Sequence, residues 1–331
     1  MLLTARHGCV GDGSERQRRA DPCVLPEPSS ADLRLASRLP VLGRPAPRLR
    51  TPACRSWADR LLVSGPPPAV GRPARRRTGQ PPGWHDARME DSRGIWTTTA
   101  DVDLLLRLAG SGVDWVALDA QHGALDRAAL HAAGRALTSA HHPFLVRVPA
   151  VDPAWIGAAL DAGAHGVVVP SVTGAGDAER AALASRYPPL GGRSWGPWSP
   201  MWGVDAPDTA TANELVRCWA MVETVGALDE VEQIAATPGV DGLFVGPLDL
   251  ALALGTTVDA LLDDTTPDGP LARVVAAADR QGILVGAFAG SPAVAHRLRA
   301  HGIGFLAVTT DAGVVATGVR AVLDELGPRQ A

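Results

Sequence analysis

Five ionisable side chains stand where short apolar runs of this sequence end. Asp119 and His122 close one run and Arg147 the next, while Glu223 and Asp249 follow two later runs. Two carboxylates leave room around a hard divalent cation for water and a chelating substrate, whose keto group the cation would polarise. A histidine beside an aspartate can move protons near neutral pH, and an arginine can stabilise an oxyanion. The set therefore predicts enolate chemistry on a 2-oxo acid.

The absence of lysine narrows this chemistry further. All 31 basic residues of the chain are arginine, which excludes a Schiff-base aldolase, a pyridoxal-phosphate enzyme and a phosphate-binding loop that ends in lysine. The four cysteines lack the spacing of a zinc site or a disulfide framework. A metal ion is then the remaining way to stabilise a pyruvate enolate.

These side chains need a scaffold that brings the ends of several strands together. From residue 94, short β-forming runs alternate with alanine-rich amphipathic stretches, a pattern that predicts a parallel sheet. The predicted strands are 94–98, 115–119, 144–148, 166–170, 219–223, 242–246, 283–288 and 305–309. Eight such units predict a (β/α)8 TIM barrel with its reacting groups at the carboxyl ends of the strands. An open doubly wound sheet is disfavoured because no glycine-rich fingerprint follows the first strand.

Residues 1–88 differ in composition from the rest of the chain. They carry 16 arginines against seven acids and 13 of the 28 prolines, whereas residues 89–331 carry 15 arginines against 28 acids. We expect residues 1–88 to be a basic, disordered Pro/Arg-rich extension or an untranslated segment, with Met89 as the native start and the barrel over 89–331. The net charge of −4 and the lack of a long apolar run or secretory signal predict a cytoplasmic protein without nucleic-acid or membrane partners.

Four groups of motifs follow one another along the chain. They are 112–115 with 119–123, 186–189 with 192–194, 222–224, and 238–242 with 246–250. They resemble the HpcH/HpaI aldolases, the class II pyruvate aldolases that include 4-hydroxy-2-oxoheptanedioate and 2-dehydro-3-deoxyglucarate aldolases. The resemblance runs from about residue 94 to residue 326. It implies a barrel of the phosphoenolpyruvate/pyruvate type that cleaves a 4-hydroxy-2-oxo acid to pyruvate, or a similar 2-oxo acid, and an aldehyde. It also implies a homo-oligomer, typically a hexamer.

The resemblance assigns roles to the five ionisable residues by position. Glu223 and Asp249 match the family's ligands for a divalent ion, for which Mg²⁺, Mn²⁺ and Co²⁺ are the candidates. His122 matches the base, with Asp119 beside it, and Arg147 matches the arginine that binds substrate and stabilises the transition state. All five are present in this chain.

Further positions concern the substrate and the base. Asp161 matches an aspartate that raises the basicity of the histidine across a subunit contact. A helix predicted over 250–254 leads us to expect that Leu248 and Asp249 bind the substrate carboxylate at its start. Gln121 replaces a common glutamate, and Met221 replaces a glutamine that contacts substrate in the best-known members. Both departures bear on which substrate the chain prefers.

Two other functions stay open at this point. A lyase for coenzyme A thioesters, of the citrate lyase β or malyl-CoA type, shares the barrel and the metal pair, although no arginine cluster stands on one loop to hold the phosphate tail. A non-catalytic barrel that binds a 2-oxo acid is the second alternative. The aromatic loop 195–202 is interpreted either as the wall of an aldehyde pocket or as a surface that packs on a neighbouring subunit.

Overall fold

The computed structural model describes residues 91–327, which form a closed barrel of eight parallel strands in chain order. The strands are β1 (Ser92–Thr97), β2 (Trp115–Asp119), β3 (Phe144–Arg147), β4 (Gly166–Val169), β5 (Arg217–Val222), β6 (Gly242–Val245), β7 (Leu284–Phe288) and β8 (Phe305–Thr310). β8 pairs with β1 and closes the ring, with a register shift between Gly94 and Ile95. The predicted TIM barrel is confirmed. The predicted extension 1–88 lies outside the described residues.

Helices connect successive strands, and a last helix follows β8. They are α1 (Val102–Ala109), α2 (Arg127–Ser139), α3 (Pro153–Asp161), α4 (Ala175–Ser185), α5 (Thr209–Leu215), α6 (Val225–Asp229), α7 (Val231–Ala235), α8 (Pro247–Ala253), α9 (Val258–Asp263), α10 (Pro270–Gln281), α11 (Pro292–Ala300) and α12 (Asp311–Leu326). Most begin after an aspartate, serine or threonine whose side chain accepts a hydrogen bond from the first turn, as Asp101 and Ser291 do. Between residues 91 and 327, no helix combines the length and apolar character needed to cross a membrane.

Aromatic rings fill the interior of the barrel. Phe305 lies between two tryptophans, with ring centroids 4.4 Å from Trp115 and 4.6 Å from Trp219. Glycines on neighbouring strands, Gly94 and Gly242, face these indoles, and a side chain at either position would overlap them. Because the rings close the interior, the mouth at the carboxyl ends of the strands is left for polar side chains.

Helix α12 does not pack along the outside of its own barrel. Beyond its first turn every residue is exposed. Val315, Val319, Val322 and Leu326 recur at helical spacing along one side and are 53%, 53%, 60% and 77% exposed. The helix therefore presents an apolar stripe, formed by these four residues, that the described part of the chain leaves uncovered.

Gly94 tests the packing of this interior. A Cβ atom at Gly94 would lie 2.2 Å from the ring of Trp115, whereas one at Gly157 on α3 would meet nothing within 4 Å. We expect Gly94→Ala to lower the free energy of unfolding by about 1–3 kcal/mol and Gly157→Ala to leave it unchanged or raise it by up to about 1 kcal/mol. Urea denaturation measures both, and equal effects would contradict this account of the core.

Candidate active site

The register of β2 and β3 sets an acid and an arginine side by side at the mouth. Asp119 and Arg147 are paired residues on these strands, and both side chains are buried, at 1% and 11% exposure. Arg147 donates from Nε to Oδ1 of Asp119 at 3.0 Å and from Nη2 to Oδ2 at 2.5 Å. The result is a two-pronged ion pair, the geometry in which arginine binds a carboxylate most strongly.

The same carboxylate holds the start of the loop that carries His122. Asp119 Oδ1 accepts hydrogen bonds from the backbone N–H groups of Gln121 at 2.9 Å and His122 at 3.2 Å. Burial alone would raise the pKa of Asp119, but the hydrogen bonds and charge of Arg147 outweigh it and keep this pKa below its ordinary value. Among residues 91–327 the contact between Asp119 and His122 thus runs through the backbone of His122, not through its ring. The carboxylate is turned toward Arg147 instead.

Glu223 follows β5 and enters the mouth from the other side. Its Oε1 accepts a hydrogen bond from the backbone N–H of Ser171 at 2.6 Å, while its buried Oε2 has no partner among the described residues. Burial raises the pKa of Glu223, as does the charge of Asp249, whereas Arg147 and His122 lower it. These four residues end or follow parallel strands, so they lie at the same end of the barrel, where their charges act on the carboxylate of Glu223.

The residues expected to bind substrate lie in different environments. Helix α8 begins at Pro247, three residues before the predicted start, because proline suits the first helical position. Leu248 is 61% exposed and Asp249 is also exposed in the first turn of this helix. Met221 is 2% exposed and belongs to the apolar interior of the barrel. Met221 therefore offers apolar contact where a glutamine would offer a hydrogen bond.

The carboxylates of Glu223 and Asp249 have the ligand chemistry that a divalent cation prefers. A buried carboxylate oxygen without a partner is costly unless a cation or donor meets it, and Oε2 of Glu223 is such an atom among the described residues. The missing side chain of Gly246 leaves space beside this oxygen, because a Cβ atom at that position would lie 2.8 Å from it. No cluster of three or more histidine, cysteine, aspartate or glutamate side chains in the described part of the chain is arranged to hold a metal. Two protein ligands would leave the remaining positions to water and substrate.

Asp161 lies apart from this group within the chain. It ends α3, at the side of the barrel where the strands begin, and its Oδ1 accepts a hydrogen bond from Nη2 of Arg193 at 2.7 Å. Both residues line a cavity of about 220 Å³, together with His165 and Trp195 of the aromatic loop. Burial, helped by the charge of His142, lowers the pKa of His165 to about 4. The structure therefore brings together the other predicted ionisable residues but not Asp161.

Two residues of the mouth were missed at the sequence level. Asp311 follows β8, is 5% exposed, and accepts hydrogen bonds from the backbone N–H groups of Thr98 at 3.0 Å and Thr99 at 2.9 Å. The carbonyl oxygen of Thr98 in turn accepts from the N–H of Ala124, in the loop of His122. The search for ionisable residues at strand ends, applied to β8, would have found Asp311. Trp96 on β1 has no charge, so that search could not have found it.

The fold and this mouth define a class of (β/α)8 enzyme whose ionisable residues gather at the carboxyl ends of the strands. Residues 93–317 match the family model described as HpcH/HpaI aldolase/citrate lyase. The chain belongs to this family, and the resemblance predicted from its motifs is confirmed.

Relatives and solved structures agree with this assignment. A hydroxypyruvate/pyruvate aldolase from Paraburkholderia phytofirmans is 34% identical over 241 residues, which cover 70% of this chain and 92% of that protein. A 4-hydroxy-2-oxovalerate aldolase from Novosphingobium aromaticivorans is 39% identical over 197 residues, covering 58% and 74%. The crystal structure of an HpcH/HpaI aldolase/citrate lyase family protein from Burkholderia cenocepacia J2315 has a TM-score of 0.66 at 34% identity and covers 73% of this chain and 98% of its own.

The buried pair makes a prediction about stability. Asp119→Asn leaves the charge of Arg147 buried without its carboxylate, so we expect a loss of about 3–5 kcal/mol in the free energy of unfolding. Glu232 and Arg280 form a two-pronged pair of the same kind at the surface, with side chains 47% and 56% exposed. Glu232→Gln should therefore cost less than about 1 kcal/mol. Chemical denaturation compares the two variants, and similar losses would refute the assigned difference.

Proposed function

We propose that this barrel is a metal-dependent aldolase that cleaves a 4-hydroxy-2-oxo acid to pyruvate, or a similar 2-oxo acid, and an aldehyde. The observation that carries the proposal is the buried Oε2 of Glu223, unpartnered among the described residues, in a mouth shared with Asp249, His122 and Arg147. The aldolase names of the relatives support the same reaction class. The Met221 side chain, being apolar, favours a substrate that is apolar at this position.

Glu223 and Asp249 would hold the divalent ion, with Mg²⁺, Mn²⁺ or Co²⁺ as candidates. When bound, such an ion supplies Lewis acidity to the 2-oxo group of the substrate. Glu223 is fixed by the N–H of Ser171, whereas Asp249 stands exposed on the first turn of α8. The site then combines one rigid carboxylate with one accessible to solvent and substrate. The N–H groups of Leu248 and Asp249 are proposed to receive the substrate carboxylate.

His122 and Arg147 would carry out the proton and charge steps. His122 takes the proton of the C4 hydroxyl, the bond between C3 and C4 breaks, and the aldehyde leaves as the electron pair moves toward the C2 oxygen. Arg147 stabilises the negative charge on that oxygen with the N–H groups that Asp119 leaves free. Return of a proton to C3 completes pyruvate. Asp119 holds the guanidinium in place through two hydrogen bonds.

We further propose a homo-oligomer, hexameric by family resemblance. The apolar stripe of α12 supports self-association, because a second copy of the chain is the occupant that would remove it from water. Asp161 is proposed to serve the histidine of a neighbouring subunit. Its place on the side of the barrel opposite the mouth favours this role over one on His122 of its own chain.

The reaction is tested by pyruvate release from a panel of 4-hydroxy-2-oxo acids, followed with lactate dehydrogenase. We expect release with Mg²⁺, Mn²⁺ or Co²⁺, loss of release with EDTA, and a fall in kcat/KM of at least roughly 100-fold in Glu223→Ala, because loss of a metal ligand exceeds the effect of losing an outer-shell partner. Glu232→Ala, on the surface, is the matched control and should keep wild-type activity.

Other results would point elsewhere. Release that persists in EDTA and in Glu223→Ala would refute the metal site. A folded protein that releases no pyruvate but cleaves a coenzyme A thioester would favour the thioester lyase. Binding of pyruvate without turnover of any substrate would favour the non-catalytic barrel.

The oligomer is tested by substitution on α12. Val319→Glu places a charge in the apolar stripe and should lower the mass in multi-angle light scattering, since burying that charge is unfavourable. Thr317→Glu changes an exposed residue on the opposite side of the same helix and should leave the mass unchanged. A wild-type mass in both variants would show that the stripe is not the contact.

A further inference from the structure

Three tryptophans belong to the aromatic interior of the barrel, Trp96, Trp115 and Trp219. All are nearly fully buried, at 3%, 1% and 0% exposure. The indole N–H of Trp96 donates to Oδ2 of Asp119 at 3.2 Å. The Nε1 atoms of Trp115 and Trp219 have no partner among residues 91–327. Trp96 is therefore distinguished by a polar contact to the mouth, on top of the packing that the three share.

Trp96, Asp119 and Arg147 each contact the other two. Oδ2 of Asp119 accepts two hydrogen bonds, one from the indole N–H of Trp96 and one from Nη2 of Arg147. The guanidinium carbon of Arg147 lies 5.1 Å from the centre of the Trp96 ring, within the range of a cation–π contact. Trp96 therefore contacts both members of the ion pair, through a hydrogen bond to Asp119 and through its ring face to Arg147.

Trp96 is itself held by aromatic neighbours. Its ring centroid lies 5.6 Å from that of Phe288, at an interplanar angle of 78°, and 5.6 Å from that of Phe244, at 38°. Phe244 also contacts Trp219 edge to face. A ring fixed on these sides is a rigid support, because its rotation would displace the buried Phe244 and the partly buried Phe288.

We propose that Trp96 is a positioning residue for the reaction, setting the plane of the Asp119 carboxylate and through it the direction of the Arg147 guanidinium. The backbone N–H groups of Gln121 and His122 hold only Oδ1 of Asp119, so they leave the carboxylate free to turn about that oxygen. The indole N–H and the ring face remove that freedom. The inference rests on the proposed function, since it assigns Arg147 the charge that develops on the C2 oxygen.

The test replaces each interior tryptophan by phenylalanine, which removes the same atoms in all three. We expect Trp96→Phe to lower kcat by roughly 10- to 100-fold, the effect of losing one hydrogen bond to a charged group, with KM changed less than about threefold. Trp115→Phe and Trp219→Phe should retain kcat, whatever their loss of stability. A kcat for Trp96→Phe within the range of the two controls would overturn the inference, provided that the wild-type chain turns over.

A second measurement is independent of turnover. In protein labelled with ¹⁵N at tryptophan, the indole resonance of Trp96 is identified by its loss in Trp96→Phe. It should move in Asp119→Asn, while those of Trp115 and Trp219 stay in place. An unmoved Trp96 resonance would overturn the inference. A wild-type chain that releases no pyruvate would refute the proposed function, and the Trp96 contact would then be decided by this resonance alone.

Discussion

The pairing of β8 with β1 is the constraint on which the site depends. Once the ring is closed, residues distant in sequence lie at one mouth. The charges of residues at the ends of β2, β3 and β6 therefore act on Glu223, which follows β5. Closure also leaves an interior that must be filled, and the stacked rings of Trp115, Phe305 and Trp219 fill it. The polar groups are thereby confined to the end of the barrel where a substrate can reach them.

Two buried carboxylates at this mouth differ in how well their negative charge is compensated by neighbouring groups. The positive charge of Arg147 and several hydrogen bonds compensate the negative charge of Asp119, so the ionised carboxylate is stable in the folded protein. Glu223 has one bonded oxygen and one unpartnered oxygen among the described residues, so the burial of its charge is costly. The first carboxylate organises the protein, and the second is left to bind something else.

The sequence predicted the eight strands well, because each is a short buried run bounded by glycine, proline or acidic turns. It also singled out Asp119, His122, Arg147, Glu223 and Asp249 as candidates, since a charged residue at the end of an apolar run can be recognised without coordinates. The sequence did not show which group each of these charged side chains contacts. That Asp119 takes the side chain of Arg147 and the backbone of His122 depends on register, and the contact with Trp96 depends on how a neutral ring packs inside a closed barrel.

Asp311 occupies two structural positions at once. It is the first residue of α12, whose apolar stripe lies outside the barrel, and its carboxylate holds the backbone of Thr98 and Thr99 beneath the loop of His122. A tilt of α12 would move this carboxylate and the backbone of Thr98 and Thr99 that it binds, and Thr98 is hydrogen-bonded in turn to Ala124 in the loop of His122. A single acidic side chain therefore links the position of a surface helix to the position of the loop that carries His122.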